Sequence, residues 1–236
     1  MSRWAYDLTQ LAAEIRGIKR LKGFADAIDR FHSAFSLRAD LLEARSAIKT
    51  LHQIHNNASD RSRFGAALMS HAVILYARAT ISDQDGRRGV DVRKAFSAEL
   101  KAKHLAIADL RNTVVAHYGI PEGKYGLRWH EERTILKSVD GSQSFTYSNS
   151  RSGYLAEAGD DLALLIEHAV SAVSAAIEER GLKLQMFLSK FKGDPEVSAA
   201  AQRCQFNPEN FYRTSDRVAS FWDGVDLVTE HFGQKP

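Results

Sequence analysis

Residues 91–118 read DVRKAFSAELKAKHLAIADLRNTVVAHY and are followed by Gly119-Ile120-Pro121. Large side chains recur here mainly at intervals of three, four and seven residues, which is typical of an amphipathic helix. The predicted inward-facing stripe consists of Phe96, Leu100, Ile107, Leu110, Val114 and His117. Glycine and proline end helices, so the helix is expected to stop just after Tyr118. A long helix with such a stripe predicts a helical bundle.

The stretches on either side of this helix show the same periodicity. They predict helices at 4–22, 24–55, 61–81 and 157–191, with a break at Gly23 and with Asp60 or Ser62 capping the third. Gly193-Asp194-Pro195 precedes a predicted short helix, and a last amphipathic segment covers about 213–231.

Residues 127–147 differ in character. Two β-prone segments flank Asp140-Gly141, a dipeptide that favours a tight hairpin turn. The sequence therefore predicts an all-α fold, an up-and-down helical bundle of about five to seven helices with a small inserted β-hairpin. We expect a single domain over residues 1–236, with a core bundle at 25–190, the hairpin at 127–147 and a C-terminal helical extension at 195–236.

The composition of the chain argues against disulfide-bonded, membrane-spanning and secreted proteins. The chain has 236 residues, of which 44% are hydrophobic, and a formal net charge of +3. Its only cysteine, Cys204, excludes an internal disulfide and an all-cysteine zinc site, and it suits the reducing cytoplasm. The most apolar stretch, Ala66 to Ile81, contains His71 and Arg78, so no membrane span is expected. No secretory signal is visible, and we expect a cytoplasmic protein. The mildly basic balance permits a nucleic-acid partner.

The end of the quoted helix, Leu110-Arg111-Asn112-Thr113-Val114-Val115-Ala116-His117-Tyr118, places an arginine and a histidine close together in sequence. Arginine binds phosphate, and histidine transfers protons near neutral pH. Spacing alone is weak, because Arg45 and His52 show a similar pattern in a polar mid-helix setting. Six residues of ideal helix separate Arg111 and His117 by about 9 Å and about 120°. A second chain could close that gap.

The Leu-Arg-Asn-x-x-x-Ala-His-Tyr motif resembles the HEPN superfamily, and most closely its abortive-infection branch. The likeness is sharp over about residues 100–119 and diffuse over about 25–190. It implies a homodimer that cleaves RNA without a metal or another cofactor at a composite site of Arg111, Asn112 and His117. His117 would transfer the proton, Arg111 would bind the scissile phosphate, and Asn112 would orient Arg111 or contact phosphate itself. The implied products are a 2′,3′-cyclic phosphate and a 5′-hydroxyl.

The resemblance also implies a role in phage defence or as a toxin, with a possible cognate antitoxin. Some family members have lost activity, so the alternative is a non-catalytic module that binds RNA, a nucleotide or a protein, like a scaffold or an antitoxin. For the residues themselves, the alternative is that His117 is a hydrogen-bonded core residue and that Arg111 pairs with Asp109 or another acid.

Other side chains are weaker candidates. Those that could bind nucleic acid are mostly basic and lie either before the quoted helix or along it: Arg78, Arg87, Arg88, Arg93, Lys94, Lys101, Lys103, His104 and Tyr118. The basic run could equally be a solvated helix face, and Arg78 could pair with Asp83 or Asp85. His71 is either a core histidine or a support for the Arg111 site. Trp129, Phe145 and Tyr147 could stack on bases or pack the hairpin. His52 and His55 alone do not predict a metal site, and no metal is expected.

Overall fold

The computed structural model describes residues 3–81, 87–115, 124–126, 129–153 and 155–224. Within these residues it is mostly α-helical, with eight α-helices and one two-stranded antiparallel sheet, so the predicted fold class is confirmed. The chain divides into two compact units, one with bounds Met1–Ser36, Gly86–Arg88 and Ala176–Pro236, the other Leu37–Asp85 and Gly89–Ala175. Two long helices, α2 (Lys22–Ile54) and α5 (Ala156–Lys190), contribute residues to both units.

The first unit contains α1 (Leu8–Ile15), a 3-10 turn at Lys19–Leu21, and the adjoining parts of α2 and α5. Asp7 caps α1 by accepting hydrogen bonds from the backbone N–H groups of Thr9 and Gln10. The core is apolar and includes Phe24, whose ring stacks on Phe187 and Phe191 at centroid distances of 6.0 and 5.8 Å.

The predicted break at Gly23 is wrong, because α2 runs through this residue and the chain turns earlier, at residues 16–18. A Cβ at Gly23 would lie 3.4 Å from the Phe187 ring. That distance is an ordinary van der Waals contact, so Gly23 lies within a packed helix rather than in a turn.

The same unit ends with α6 (Pro195–Arg203), α7 (Pro208–Phe211) and α8 (Ser215–Trp222). The predicted C-terminal extension therefore contains three helices, the last of which ends at Trp222, and the part of the segment expected at 213–231 that follows residue 224 lies outside the described residues. Asp194 and Asn207 cap α6 and α7, each followed by a proline, whose missing N–H is harmless in a first turn.

The second unit contains α3 (Ala58–Thr80), α4 (Ala98–Leu110) and the hairpin strands β1 (His130–Val139) and β2 (Ser142–Arg151). Asn57 caps α3, rather than Asp60 or Ser62. The helix predicted from residue 91 starts at Ala98 instead: Val92–Ala95 is a 3-10 turn, and Ser97 accepts a hydrogen bond from the Leu100 N–H. A serine just before a helix stabilises the helix start at that point. The apolar periodicity continues upstream of Ser97, so it predicted a start that is too early.

The hairpin has the predicted tight turn. Asp140 and Gly141 have φ of 50° and 80°, as a type I′ turn requires, and Val139 pairs directly with Ser142. The second strand extends to Arg151, four residues beyond the predicted end.

Candidate functional site

The predicted arginine lies where α4 changes its winding. Residues Arg111–Val115 form a π-helical turn that lies against α3, and the Arg111 N–H is shared between the carbonyls of Ile107 and Ala108. Isolated π turns are rare and occur frequently at functional sites. Because this turn is wider than an α-helical one, the ideal-helix angle between Arg111 and later residues does not apply.

The Arg111 guanidinium is held by its neighbour. Its Nη1 donates a hydrogen bond of 2.9 Å to Asn112 Oδ1, and Asn112 is exposed while Arg111 is half-buried. The alternative pairing with Asp109 is not formed, since Asp109 Oδ1 accepts from Thr113 Oγ1 at 3.0 Å. Among the described residues no carboxylate lies within ion-pair distance of Arg111. Most of the five N–H donors of this side chain thus remain available to an anion.

The rest of the motif is only partly described. His117 and Tyr118 lie outside the described residues, so the Arg111–His117 relation stays a prediction. Earlier members of the predicted stripe are buried as expected: Phe96, Leu100, Ile107 and Leu110.

His104 continues that buried stripe, so its predicted place on a surface track for RNA is wrong. Its Nδ1 lies 2.8 Å from the Tyr76 hydroxyl, and the Phe96 ring packs edge-on against the imidazole. The residue sits four positions after Leu100 and three before Ile107, which places it on the inner face of α4. Burial, followed by the positive charge of Arg93, lowers the pKa of His104, and burial raises the pKa of Tyr76.

Lys103 is also not free for RNA, because it belongs to a cluster around Asp161, which is absent from the predicted sites. The Asp161 carboxylate, 5% exposed as a residue, accepts hydrogen bonds from Lys103 Nζ at 2.6 Å, from the Tyr125 hydroxyl at 2.5 Å and from Lys124 Nζ. Burial alone would raise the pKa of Asp161, but these three hydrogen bonds outweigh it and the pKa lies below its usual value. One signal existed in the sequence: Asp161 falls on the apolar stripe of α5, beside Leu162 and Leu165.

The other predicted basic residues differ in their surroundings. Lys94 and Lys101 are exposed, whereas Arg93 pairs with Asp91 at 3.1 Å. The Arg88 N–H donates to Ser33 Oγ, and Arg87 also has an interaction within the chain. Lys94 and Lys101 therefore remain the clearest candidates for phosphate contacts on the second unit.

Two candidates on α3 are engaged with α2 instead. Arg78 binds the Asp40 carboxylate through both Nε and Nη2, so it forms a structural ion pair. The partner is not one of the two that were predicted, Asp83 and Asp85, which lie outside the described residues. His71 is exposed, which overturns its reading as a core histidine, and its Nε2 lies 3.5 Å from Glu43 Oε1 rather than against Arg111. It faces away from the buried positions Ala72, Val73 and Tyr76.

Both residues of the second Arg–His pattern lie beside acidic side chains. Arg45 lies 3.5 Å from Glu167 and His52 lies 3.3 Å from Asp160, both on α5. These side chains line an open groove of about 980 Å³ between α2 and α5. Unlike Arg111, Arg45 already has an acidic partner.

The hairpin aromatics divide into two kinds. Trp129 is buried and its Nε1 donates to the Tyr125 carbonyl at 3.2 Å, as the packing interpretation expects. Phe145 is 79% exposed, so packing against the bundle does not explain it, whereas Tyr147 is 56% exposed and has a further interaction within the chain.

Comparison with protein-family models, curated proteins and solved structures gives no match for this chain. Within the described part of the chain, no three His, Cys, Asp or Glu side chains are grouped as a metal site would require. None of the described helices is long and apolar enough to cross a membrane. Cys204 is buried, and burial raises the pKa of its thiol.

Proposed function

We propose that this protein is a metal-independent endoribonuclease of the HEPN type that acts as a cytoplasmic phage-defence or toxin effector. Arg111 binds the scissile phosphate, Asn112 orients Arg111, and His117 transfers the proton. The observation that carries the proposal is the Arg111 guanidinium, which sits on a π turn, contacts Asn112 and has no acidic partner among the described residues. An arginine that is held in place but not neutralised is suited to an external anion.

The chemistry needs no other group. The ribose 2′-hydroxyl attacks the adjacent phosphorus as a histidine removes its proton. The bond from phosphorus to the 5′-oxygen breaks, and the 5′-oxygen takes a proton from water or from a protonated histidine. Hydrogen bonds from the guanidinium offset the charge that develops on the phosphoryl oxygens. The products are a 2′,3′-cyclic phosphate and a 5′-hydroxyl. The role of His117 rests on the sequence resemblance, because that residue lies outside the described ones.

The test is RNA cleavage by the purified full chain in the presence of a chelator. Arg111→Ala and His117→Ala are each expected to lower the rate by about 100-fold or more, the usual contribution of a general base or a charge-stabilising group. The chain supplies a matched control, since Arg45→Ala and His52→Ala remove an Arg–His pair from another site. Equal cleavage by all four variants would contradict the proposal.

The proposed composite site can be tested by mixing inactive variants. If Arg111 of one chain acts with His117 of its partner, mixing and refolding the two inactive variants restores one complete site in each mixed dimer. Random pairing then recovers about a quarter of the wild-type activity. A site built within one chain recovers none, and a monomer in solution would contradict the composite site.

RNA binding without cleavage would instead establish the alternative, a non-catalytic RNA-binding or scaffolding module. Co-expression of the neighbouring gene tests for a cognate antitoxin, since a neutraliser should suppress any growth defect that depends on Arg111.

A further inference from the structure

Two lysines lie on α4, and they differ in whether an acid among the described residues compensates their charge. Lys103 Nζ contacts Asp161 at 2.6 Å and Glu99 at 3.3 Å. Lys101 is exposed, and no carboxylate of the described residues lies within ion-pair distance of it. The same holds for Arg111 at the end of this helix, whose guanidinium contacts only an amide. The helix therefore carries two uncompensated cations, Lys101 and Arg111.

The two cations lie within a quarter turn of each other. The helix is regular from Ala98 to Leu110, and Arg111 still has helical φ and ψ of −60° and −47°. Ten residues of α-helix separate Lys101 and Arg111 by about 15 Å along the axis and by about 80° around it. One elongated ligand that lies along α4 therefore contacts both side chains.

The helix surface between the two cations carries little. Of the α4 residues between Lys101 and Arg111, only His104 and Ala108 fall within the sector that the two cations bound. His104 is buried and bonded to Tyr76, so its ring does not occupy the surface. Ala108 is half-buried and contributes only a methyl group. We call Lys101, Ala108 and Arg111 the α4 lane.

The acidic residues of α4 lie outside this lane. Glu99 is on the opposite side of the helix from Lys101. Asp109 lies about 80° from Lys101, in the direction away from Arg111. Its Oδ1 accepts a hydrogen bond of 3.0 Å from Thr113 Oγ1. No carboxylate of α4 therefore lies between the two cations.

The length of the α4 lane limits the class of ligand. One phosphate group bound at Arg111 cannot also reach Lys101 about 15 Å away along the helix. An RNA strand advances about 3.4 Å per stacked nucleotide and further when it is extended, so this distance corresponds to about two to four nucleotides. Two phosphates of one strand match the two cations.

We propose that Lys101 binds a second phosphate of the RNA whose scissile phosphate is bound by Arg111, about two to four nucleotides away. This inference rests on the proposed ribonuclease function and deepens it, because it makes an oligonucleotide rather than a dinucleotide the preferred substrate. Lys101 holds the strand in register and takes no part in proton transfer. Its contact is the same before and during the reaction, so it acts on KM and not on kcat.

The test measures cleavage by the full chain of RNAs that grow one nucleotide at a time on either side of one cleavable linkage. All other riboses are 2′-O-methylated, so only that linkage keeps its attacking hydroxyl. Lys101→Ala is expected to raise KM about 5-fold at about 0.1 M salt, because one phosphate contact with a single strand releases about 0.7 counterion. This increase appears only once the strand is long enough to reach Lys101, and kcat stays unchanged.

The chain supplies matched controls for the lost charge and for an added one. Lys49 is an exposed lysine of α2 that also has no carboxylate within ion-pair distance among the described residues, so Lys49→Ala should leave KM nearly unchanged. Lys101→Arg keeps the phosphate contact. Ala108→Glu puts a carboxylate into the lane and should raise KM for long strands at least as much as Lys101→Ala. Ala102→Glu adds the same charge on the side of α4 away from Arg111 and should not.

Three results would overturn the inference. They are the same KM for Lys101→Ala as for Lys49→Ala, an equal increase in KM on the shortest and the longest strands, or a lower kcat in Lys101→Ala that circular dichroism shows to be fully folded. Each would mean that Lys101 does not bind a distant phosphate of the substrate.

The inference and the proposed function fail in different ways. Cleavage that needs Arg111 and His117 but shows no dependence on Lys101 leaves the ribonuclease and refutes the second phosphate contact. If no RNA is cleaved, the ribonuclease is refuted, and fluorescence anisotropy of the same strands decides about Lys101. Affinity that grows with strand length and falls in Lys101→Ala then keeps the second contact, whereas affinity independent of Lys101 refutes it as well.

Discussion

Replacing Asp161 by asparagine is expected to destabilise the second unit. The carboxylate is 5% exposed and connects Lys103 of α4 with Lys124 and Tyr125. Asparagine keeps the size of the side chain but removes the charge that two ammonium groups contact. Breaking a fully buried ion pair costs about 3–5 kcal/mol. Both lysines reach solvent, with side chains 19% and 37% exposed, so we expect about 2–3 kcal/mol.

The assay is thermal unfolding followed by circular dichroism. A loss of this size lowers Tm by about 5–10 °C in a chain of this length. Asp160→Asn is the matched control, because the neighbouring carboxylate is 74% exposed and, among the described residues, has only His52 as a basic side chain within 4 Å. It is expected to change stability by less than about 0.5 kcal/mol.

The effect of Asp161→Asn also depends on pH in a defined direction. The folded pKa of Asp161 lies below the usual 3.8, so ionised Asp161 stabilises the fold above about pH 4. This contribution disappears as the pH falls through the lower folded pKa. The difference between wild type and Asp161→Asn should therefore shrink below pH 4. A difference under about 0.5 kcal/mol at neutral pH, or an equal one at low pH, would refute the reasoning.

Four further predictions concern individual residues. Arg78→Lys loses the two-point contact with Asp40 and should lower stability by about 1 kcal/mol in thermal unfolding, with kcat for RNA unchanged; a lower kcat would instead place Arg78 in the site. The lowered pKa of His104 means that the unfolded chain binds its proton more readily, so stability should fall as pH drops below about 6.5. Tyr76→Phe should cost about 1 kcal/mol by urea unfolding at neutral pH, and no loss would show that the Tyr76–His104 hydrogen bond is unimportant. Gly141→Ala forces a side chain into φ of 80° and should speed amide hydrogen exchange across β1 and β2 by about 5-fold or more, unless the turn rearranges without strain.

Helix positions could be predicted from the sequence because the apolar period is a local signal. It placed α2, α3 and α5 within a few residues, and Asp140-Gly141 located the hairpin turn. Where the period failed, at Ser97 and Gly23, a single residue had a role that periodicity does not express. Ser97 caps a helix start, and Gly23 lies inside α2 beside Phe187 instead of ending a helix.

Side-chain pairing was much harder to predict, because it depends on partners that are distant in sequence. Lys103 and Asp161 are 58 residues apart, and nothing near Lys103 shows that its charge is already compensated. Counting basic residues therefore overestimated the positive surface before Arg111. The exposure of Phe145 and Tyr147 was equally invisible, since alternation along a strand does not reveal which face is covered.

Two polar contacts, one buried and one partly buried, restrain α4 close to Arg111. Lys103 and His104 are consecutive, so they leave α4 about 100° apart. One is bound to Asp161 of α5 and the other to Tyr76 of α3, which restrains the helix from two sides about two turns before the π turn. Neither contact touches the proposed reaction, so loss of either should reduce the folded population without changing the chemistry. Asp161→Asn assayed well below its Tm should consequently keep the wild-type kcat. A fall in kcat at full folding would mean that α4 must be held by Asp161 for Arg111 to reach the phosphate.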